Sequence, residues 1–328
     1  MTLMQLDAKD RKILAELDKN ARQSNNQIGK KARLSKEVVK YRIDRMLEAG
    51  VIIRFHTITN YFKLGISKFK LYLRFTNANK EKINEISEFF NKHRRTEWVV
   101  TCTGRWDIIV GFLEKNVNDF DEDIQEILNK YAKYIQEKAV TITLYLVHHE
   151  RGFLENKPSE AIYHTSKDKK EEIDKIDLEI IRILTNNARM PVTEIAERLK
   201  TTPRIIQYRI KELEKKEVIL AYKVHLNPKN MGRIFCKAIL YFTNVNQEKL
   251  NNFIMYASSI SDVVWPQKVM GGWDFEVDCE VTDYDRFQKI ILDLKEKFPD
   301  MINHYEFCIV SEEFKLDFFP DVYPAMKE

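Results

Sequence analysis

Glycine and proline are scarce, nine and eight of 328 residues, which excludes collagen-like and low-complexity classes built on them. No run of 18 apolar residues occurs, and Met1 to Asp10 hold no signal-like apolar core. The sequence therefore predicts neither a membrane span nor a secretory leader, and a cytoplasmic protein. Cysteine is limited to Cys102, Cys236, Cys279 and Cys308, far apart, inside apolar strand-like runs and without a Cys-x-x-Cys pair. Free core thiols are expected in place of a disulfide framework. The histidines number seven, and the adjacent His148 and His149 point to opposite faces of a predicted strand, so they cannot easily chelate one ion. No metal and no cofactor are expected. A net charge of +4 permits an acidic partner such as nucleic acid without demanding one. What the chain does have is apolar residues, 44% of the total, too many for a disordered polymer. Its length predicts two or more domains, each able to bury its own core.

The chain is written twice. A shift of 167 residues superposes Asp10 on Asp177, Asn20-Ala21-Arg22 on Asn187-Ala188-Arg189, and Tyr41-Arg42-Ile43 on Tyr208-Arg209-Ile210. The same shift carries Gly104-Arg105-Trp106-Asp107 onto Gly271-Gly272-Trp273-Asp274. A constant offset over most of the chain marks a tandem duplication. Between the copies, residues 155–172 hold Asn156-Lys157-Pro158-Ser159 and Lys167 to Glu172. Their lack of apolar periodicity predicts a linker, up to roughly 60 Å when extended, so the copies need not pack on each other.

Each copy opens with three short predicted helices. Asp7 and Asp10 suit a cap and first turn ahead of Ile13, Leu14 and Leu17, and Asp174, Asp177, Ile180, Ile181 and Leu184 repeat the pattern. In the third helix Val39, Ile43 and Met46, or Ile206, Ile210 and Leu213, form an apolar stripe, with Ser35 or Thr202 as N-cap and Pro203 at the first turn. The remaining faces carry Lys36, Lys40, Tyr41, Arg42 and Arg45, or Arg204, Gln207, Tyr208, Arg209 and Lys211. Two helices joined by a tight turn, the second basic outside, describe a helix-turn-helix whose second helix fits the DNA major groove. Candidate DNA-binding residues are therefore Ser35, Lys36, Lys40, Tyr41, Arg42 and Arg45, with Thr202, Arg204, Gln207, Tyr208, Arg209 and Lys211 in the second copy. The competing reading is that these charges form solvated helix faces.

The second part of each copy reads strand, helix, strand, strand, helix, strand: Phe69 to Phe75, Asn79 to Asn91, Glu97 to Thr103, Asp107 to Phe112, Val117 to Tyr134 and Val140 to Val147, repeated from Phe235 to Phe314. That order is βαββαβ, a ferredoxin-like sandwich with helices on one sheet face. The fold class is α+β, two tandem units each of a winged-type helix-turn-helix and a ferredoxin-like domain. The predicted limits are 1–60 and 61–154, the linker 155–172, then 173–228 and 229–328. Strands apolar on both faces, such as Val140 to Val147, leave a second face that must find a cover. Association of the βαββαβ units, within the chain or between chains, is expected. Lys70 and Arg74 make the first copy more polar there, so the two copies are not equivalent.

These residues resemble two fused copies of the leucine-responsive regulatory protein (Lrp)/AsnC family of transcription factors. The matching features are Leu6 to Asp10, the run from Arg42-Ile43 to Gly50-Val51-Ile52, Leu226-Asn227-Pro228, and Gly-x-x-Asp at Gly104/Asp107 and Gly271/Asp274. Glu217 departs from the pattern where the first copy has Gly50, which implies a reshaped end to the second recognition helix. The first copy also lacks the Asn-Pro. The resemblance implies double-stranded DNA as partner, homo-oligomers formed through the βαββαβ domains, and a small-molecule effector, often an amino acid, near the Gly-x-x-Asp turn. It nominates Thr101, Thr103, Gly104 and Asp107, with Met270, Gly271 and Asp274. Glycine lets a ligand approach the backbone, and an aspartate suits an amino group. The alternative is that the glycines only permit a hairpin turn and each aspartate caps it. Trp106 and Trp273 are expected to pack.

Three functions compete. The first is a DNA-binding regulator modulated by a small molecule, each chain carrying two reading heads. The second is a sirohaem-decarboxylase-like enzyme, against which stands the absence of a His-Cys-Tyr-x-Arg run: Thr101 precedes Cys102 and Phe307 precedes Cys308. The third is a sensor or assembly protein that does not bind DNA.

Overall fold

The structure is a computed structural model, and it describes residues 4–155 and 160–322. The first unit runs α1 (Ala8–Lys19), α2 (Asn25–Ala32), α3 (Lys36–Glu48), β1 (Ile52–Thr59), β2 (Ser67–Phe75), α4 (Lys80–Lys92), β3 (Thr96–Gly104), β4 (Ile108–Glu114), α5 (Val117–Tyr131), β5 (Ile135–His149) and β6 (Ala161–Thr165). The second runs α6 (Lys175–Asn186), α7 (Val192–Arg198), α8 (Pro203–Lys215), β7 (Ile219–Leu226), β8 (Ile234–Phe242), α9 (Gln247–Ser259), β9 (Val263–Gly271), β10 (Phe275–Val281), α10 (Tyr284–Lys297) and β11 (Ile302–Leu316). Helix starts follow the capping residues. Asp7 and Asp10 form a reciprocal capping box, as do Asp174 and Asp177 and also Ser24 and Gln27, while Ser35 and Thr202 accept from Val38 and Ile205. Among the described residues no helix is long and apolar enough to cross a membrane, and all four cysteines are buried and free.

Eight strands close into one antiparallel barrel in the order β2-β4-β3-β11-β8-β10-β9-β5 and back to β2, with β6 added outside β5. The expectation of two ferredoxin-like units that associate by covering their second sheet faces is corrected in its geometry here. The four strands of each unit are neighbours, but β3 pairs with β11 and β9 with β5, so the units merge edge to edge. Closure removes four strand edges that would otherwise expose unpaired backbone. Cys102 faces Val310 at one seam, and their counterparts Val269 and Thr143 face each other at the other. One sheet face packs on helices: Phe69, Leu71, Val110 and Phe112 against α4 and α5, and Cys236, Ala238, Phe275 and Val277 against α9 and α10. The opposite face lines the barrel interior with Tyr72, Trp98, Trp106, Ile239 and Trp273.

Outside the barrel β1 pairs antiparallel with β7, and His56 sits opposite Lys223, its own counterpart in the repeat. The ribbon therefore lies across a pseudo-two-fold axis. Its strands are exchanged: Val224 and Leu226 pack in the core of the first three-helix unit, and Tyr61 and Phe62, after β1, pack in the core of the second. Arg151 adds a buried tie, with its Nη1 2.9 Å from Asp18 on α1 and its Nε 2.9 Å from Glu280 on β10. The copies thus pack on one another, contrary to the freedom read from the connecting segment. That segment is also corrected. Residues 156–159 lie outside the described residues, but 161–165 form β6, and the Glu171 amide donates to the Lys63 carbonyl. Hydrogen bonding to β5 orders a stretch whose own composition would not.

Candidate nucleic-acid interface

On α3 the apolar side, Val39, Ile43 and Met46, is buried, while Ser35, Lys36, Lys40 and Tyr41 are exposed. On α8 the buried residues are Ile206, Ile210 and Leu213, and Thr202, Arg204, Gln207, Tyr208 and Lys211 are exposed. Tyr41 and Tyr208, 66% and 64% exposed, stand at equivalent places on the two helices. They are the most exposed of the large hydrophobic side chains on these two helices. Lys40 also forms an i,i+4 ion pair with Asp44 at 2.6 Å.

Three of the nominated residues are engaged elsewhere. Arg42 Nη1 lies 2.8 Å from Asp7 and 2.7 Å from Asp10, Arg45 Nη2 lies 2.7 Å from Asp10, and Arg209 Nη1 lies 2.7 and 2.9 Å from Asp174 and Asp177. The hydrogen bond from Arg42 holds the Asp7 carboxyl below its ordinary value. These arginines bolt the recognition helix to the capped start of the first helix, because two acidic caps there demand a cation. They are half-buried against the first helix, and the exposed cations of the helix faces are Lys40, Arg204, Lys211 and Lys36, the last 3.7 Å from Glu37.

The two heads are fixed to each other through Asn20-Ala21-Arg22 and Asn187-Ala188-Arg189, a repeat whose role sequence reasoning did not assign. Arg22 Nη1 donates to the Ala188 carbonyl at 2.5 Å, and Arg189 Nη1 donates to that of Ala21 at 2.6 Å. Reciprocally, Arg22 lies over Tyr222 and Arg189 over Phe55, each at 5.2 Å. An open cleft of about 490 Å³ lies beside α3, lined by Lys40, Asp44, Arg54, Asn186, Asn187 and Arg189 among others.

The nominated effector residues fall at the two seams. Gly104 has φ of 124° and Gly271 of 132°, and an added Cβ would meet the Phe307 or Val140 carbonyl oxygen at 2.6 or 2.3 Å. Glycine is required there by the neighbouring strand. Asp107 Oδ2 accepts from the Phe75 amide at 2.7 Å and Asp274 Oδ2 from the Phe242 amide at 2.8 Å. These carboxylates tie the turn to the adjacent strand, the capping alternative. Thr103 Oγ1 lies 3.2 Å from Ser311 Oγ, Thr101 is half-buried, and Met270 is exposed. The two sets are not gathered into one site, although Trp106 and Trp273 meet inside the barrel at 6.1 Å. A second open cleft of about 490 Å³ adjoins the first seam, lined by Gly104, Arg105, Lys295, His304, Tyr305 and Glu306 among others. Arg105 Nε lies 2.8 Å from Glu306 and its Nη1 2.8 Å from Glu137. Arg105 was legible as a member of the Gly-Arg-Trp-Asp motif. Lys295, His304 and Glu306 carry no local signal, since only the pairing of β11 with β3 and the packing of α10 bring them to the turn.

Residues 6–53 match a family model for winged helix-turn-helix DNA-binding domains, and residues 173–214 match the AsnC-type helix-turn-helix domain. An uncharacterised HTH-type transcriptional regulator of Pyrococcus furiosus is 31% identical over 141 residues, 42% of this chain and 91% of that protein. The transcriptional regulator AzlB of Bacillus subtilis is 33% identical over 116 residues, 35% of this chain and 74% of its own. The HTH-type transcriptional regulator LrpB of the same organism is 26% identical over 43% of this chain and 99% of its own. Across the whole length, the crystal structure of the sirohaem decarboxylase NirDL superposes with a TM-score of 0.63 at 11% identity, covering 94% of this chain and 93% of that one. That likeness is one of fold.

Proposed function

The chain belongs to the Lrp/AsnC family of helix-turn-helix transcriptional regulators, and from that premise we propose how one polypeptide reads DNA and senses a small molecule. It is a DNA-binding regulator. In our reading, α3 and α8 enter successive major grooves, and Lys36, Lys40, Arg204, Gln207 and Lys211 contact bases and phosphates. Tyr41 and Tyr208 contribute apolar contact or phosphate hydrogen bonds, and Ser35 and Thr202 hold the helix starts. The observation that carries this is the fixed pair of heads: reciprocal arginine contacts and the β1–β7 ribbon make one chain the equivalent of a dimer.

The effector reading places a small molecule of the amino-acid class at the seam beside Gly104, where Arg105 and Lys295 suit a carboxylate and Glu306 an amino group. Thr101, Thr103, Asp107, Met270, Gly271 and Asp274 then act by shaping the seams. Residues 61–154 and 229–328 form the effector and assembly part, 1–60 and 173–228 the reading part, and further homo-oligomers form through the outer barrel surface. The protein acts in the cytoplasm.

Fluorescence anisotropy with the gene's own upstream duplex and a scrambled control, at two salt concentrations, tests the reading. Tighter, salt-dependent binding to the upstream duplex is expected. Replacing Lys36, Lys40, Arg204 and Lys211 by Ala should weaken it at least tenfold and flatten its salt dependence, because fewer counterions are released. Unchanged binding by that variant would remove these helices from the interface. A second reading, an enzyme acting on a tetrapyrrole, draws on the NirDL fold likeness. A sirohaem titration followed by absorbance, giving no spectral change, would set it aside.

A further inference from the structure

The two heads differ where they would face bases. Under the 167-residue shift Tyr41 and Arg42 recur as Tyr208 and Arg209, but Glu37 becomes Arg204, Lys40 becomes Gln207 and Asp44 becomes Lys211. The constant pair is the exposed tyrosine and the arginine that braces the helix against the first one, Arg42 or Arg209. Of what varies, Glu37, Lys40, Arg204, Gln207 and Lys211 are exposed and Asp44 is half-buried, while the brace Arg45 is replaced by Glu212. On α3 the acidic Glu37 and Asp44 offset Lys36 and Lys40, and the Lys40 ammonium sits 2.6 Å from Asp44. On α8, residues 202–211 hold Arg204 and Lys211 with no carboxylate. The heads occupy one chain and are held by the Arg22 and Arg189 contacts, so every pair contains one of each.

We infer that the operator consists of two unlike half-sites in fixed order, with guanine facing Lys40 and adenine at the equivalent position facing Gln207. This rests on the regulator reading above. Lysine offers donors alone, which suits the O6 and N7 acceptors of guanine, whereas the glutamine carboxamide offers a donor and an acceptor that fit N6 and N7 of adenine. A symmetric dimer presents one helix twice and is matched by a palindrome. This chain presents two different helices, so a palindrome satisfies one head at the expense of the other. The Lys40–Asp44 pair sharpens the difference, since Lys40 must leave its carboxylate to reach DNA, while Lys211, at the Asp44 position, carries a second free cation.

The test selects duplexes from a randomised pool with the full-length chain. It then compares, by anisotropy, the selected duplex with two symmetrised versions in which one half-site is repeated as an inverted copy. The selected site should be non-palindromic, and both symmetrised duplexes should bind about tenfold or more weakly, the penalty of a mismatched contact position. The variant carrying Lys40→Gln and Asp44→Lys should reverse the order, favouring the duplex with two adenine-type half-sites over the selected one. A palindromic selected site, or equal affinity for all three duplexes, overturns the asymmetry and leaves the regulator reading intact. Failure to enrich any duplex overturns the regulator reading and this inference together. Both substituted positions lie on the outer helix face, and unchanged helicity by circular dichroism would keep misfolding out of the comparison.

Discussion

His164 is 1% exposed, and among the described residues neither ring nitrogen has a hydrogen-bond partner. Its ring meets Tyr61 at 4.9 Å and His148 at 5.2 Å. Burial, with Lys68 nearby and Asp168 opposing, holds its pKa down to about 3, and burial likewise depresses His56 and His148. A histidine whose folded value is depressed binds fewer protons folded than unfolded. Its contribution is therefore complete above an unfolded value of about 6.5 and is lost as pH falls toward the folded value. Each such group removes about 1.4 kcal/mol per pH unit in that window. The urea midpoint should fall between pH 7 and pH 5, and His164→Phe should flatten part of that slope; a midpoint flat over this range would contradict the assignment. Arg42 makes a second case at this scale. Its removal leaves Arg45 as the one cation on the buried Asp10, so Arg42→Ala should cost about 2 kcal/mol of stability, whereas Lys40→Ala should stay within about 0.5 kcal/mol. Urea unfolding of the two variants separates the brace from the reader. Composition alone could not make that distinction, because both residues are basic and lie two positions apart on one amphipathic helix.

At the scale of elements, the end of α8 answers the departure at Glu217. The helix is not reshaped: Gly50 has φ of 65° and Glu217 of 54°, so the same left-handed turn closes both recognition helices. A side chain in that conformation costs about 1 kcal/mol, and the Glu217–Lys63 pair at 2.9 Å, with Glu217 largely exposed, returns little of it. Glu217→Gly is therefore expected to raise stability by roughly 0.5–1 kcal/mol, read as a higher urea midpoint, and no gain would mean the ion pair offsets the strain. Helices were legible here because their starts are written in residues such as Asp7, Ser35 and Pro203, which act within three positions. The turns at Gly104 and Gly271 were legible for the same local reason. The strand β6 was not, since its order comes from pairing with β5 and nothing in Ala161 to Thr165 states that partner. The roles of Asp107 and Asp274 needed the neighbouring strand as well, because their acceptor bonds run to amides 32 residues earlier.

For the molecule as a whole, closure of the barrel was hidden by residues that read as polar exceptions. Lys70 and Lys237, each fully buried, meet Glu276 at 2.5 and 2.8 Å, and Lys237 meets Asp278 at 2.6 Å. Tyr72 and Trp273 also donate to Glu276 at 2.6 and 3.0 Å. Burial would raise the Glu276 carboxyl, but Lys237 and Lys70 outweigh it and hold the group well below the usual range. Lysine in a strand suggests an outer face, and only the second copy supplies the carboxylates that let Lys70 turn inward. The counterparts of Glu276 and Asp278 in the first copy are Ile109 and Gly111. The interior therefore fits one half against the other and penalises either half against itself. A barrel of two first halves would bury two Lys70 ammonium groups facing Ile109. A barrel of two second halves would bury Glu276 and Asp278 twice against two copies of Lys237. Fragments 1–155 and 160–328, expressed separately and mixed, should form a 1:1 complex by size-exclusion chromatography with light scattering. The first fragment alone should fail to give a stable dimer, and Lys70→Met should let it self-associate while weakening its complex with the second. Self-dimers of the unmodified first fragment as stable to urea as the mixed complex would show that backbone pairing alone selects the partner, and that the buried charges do not.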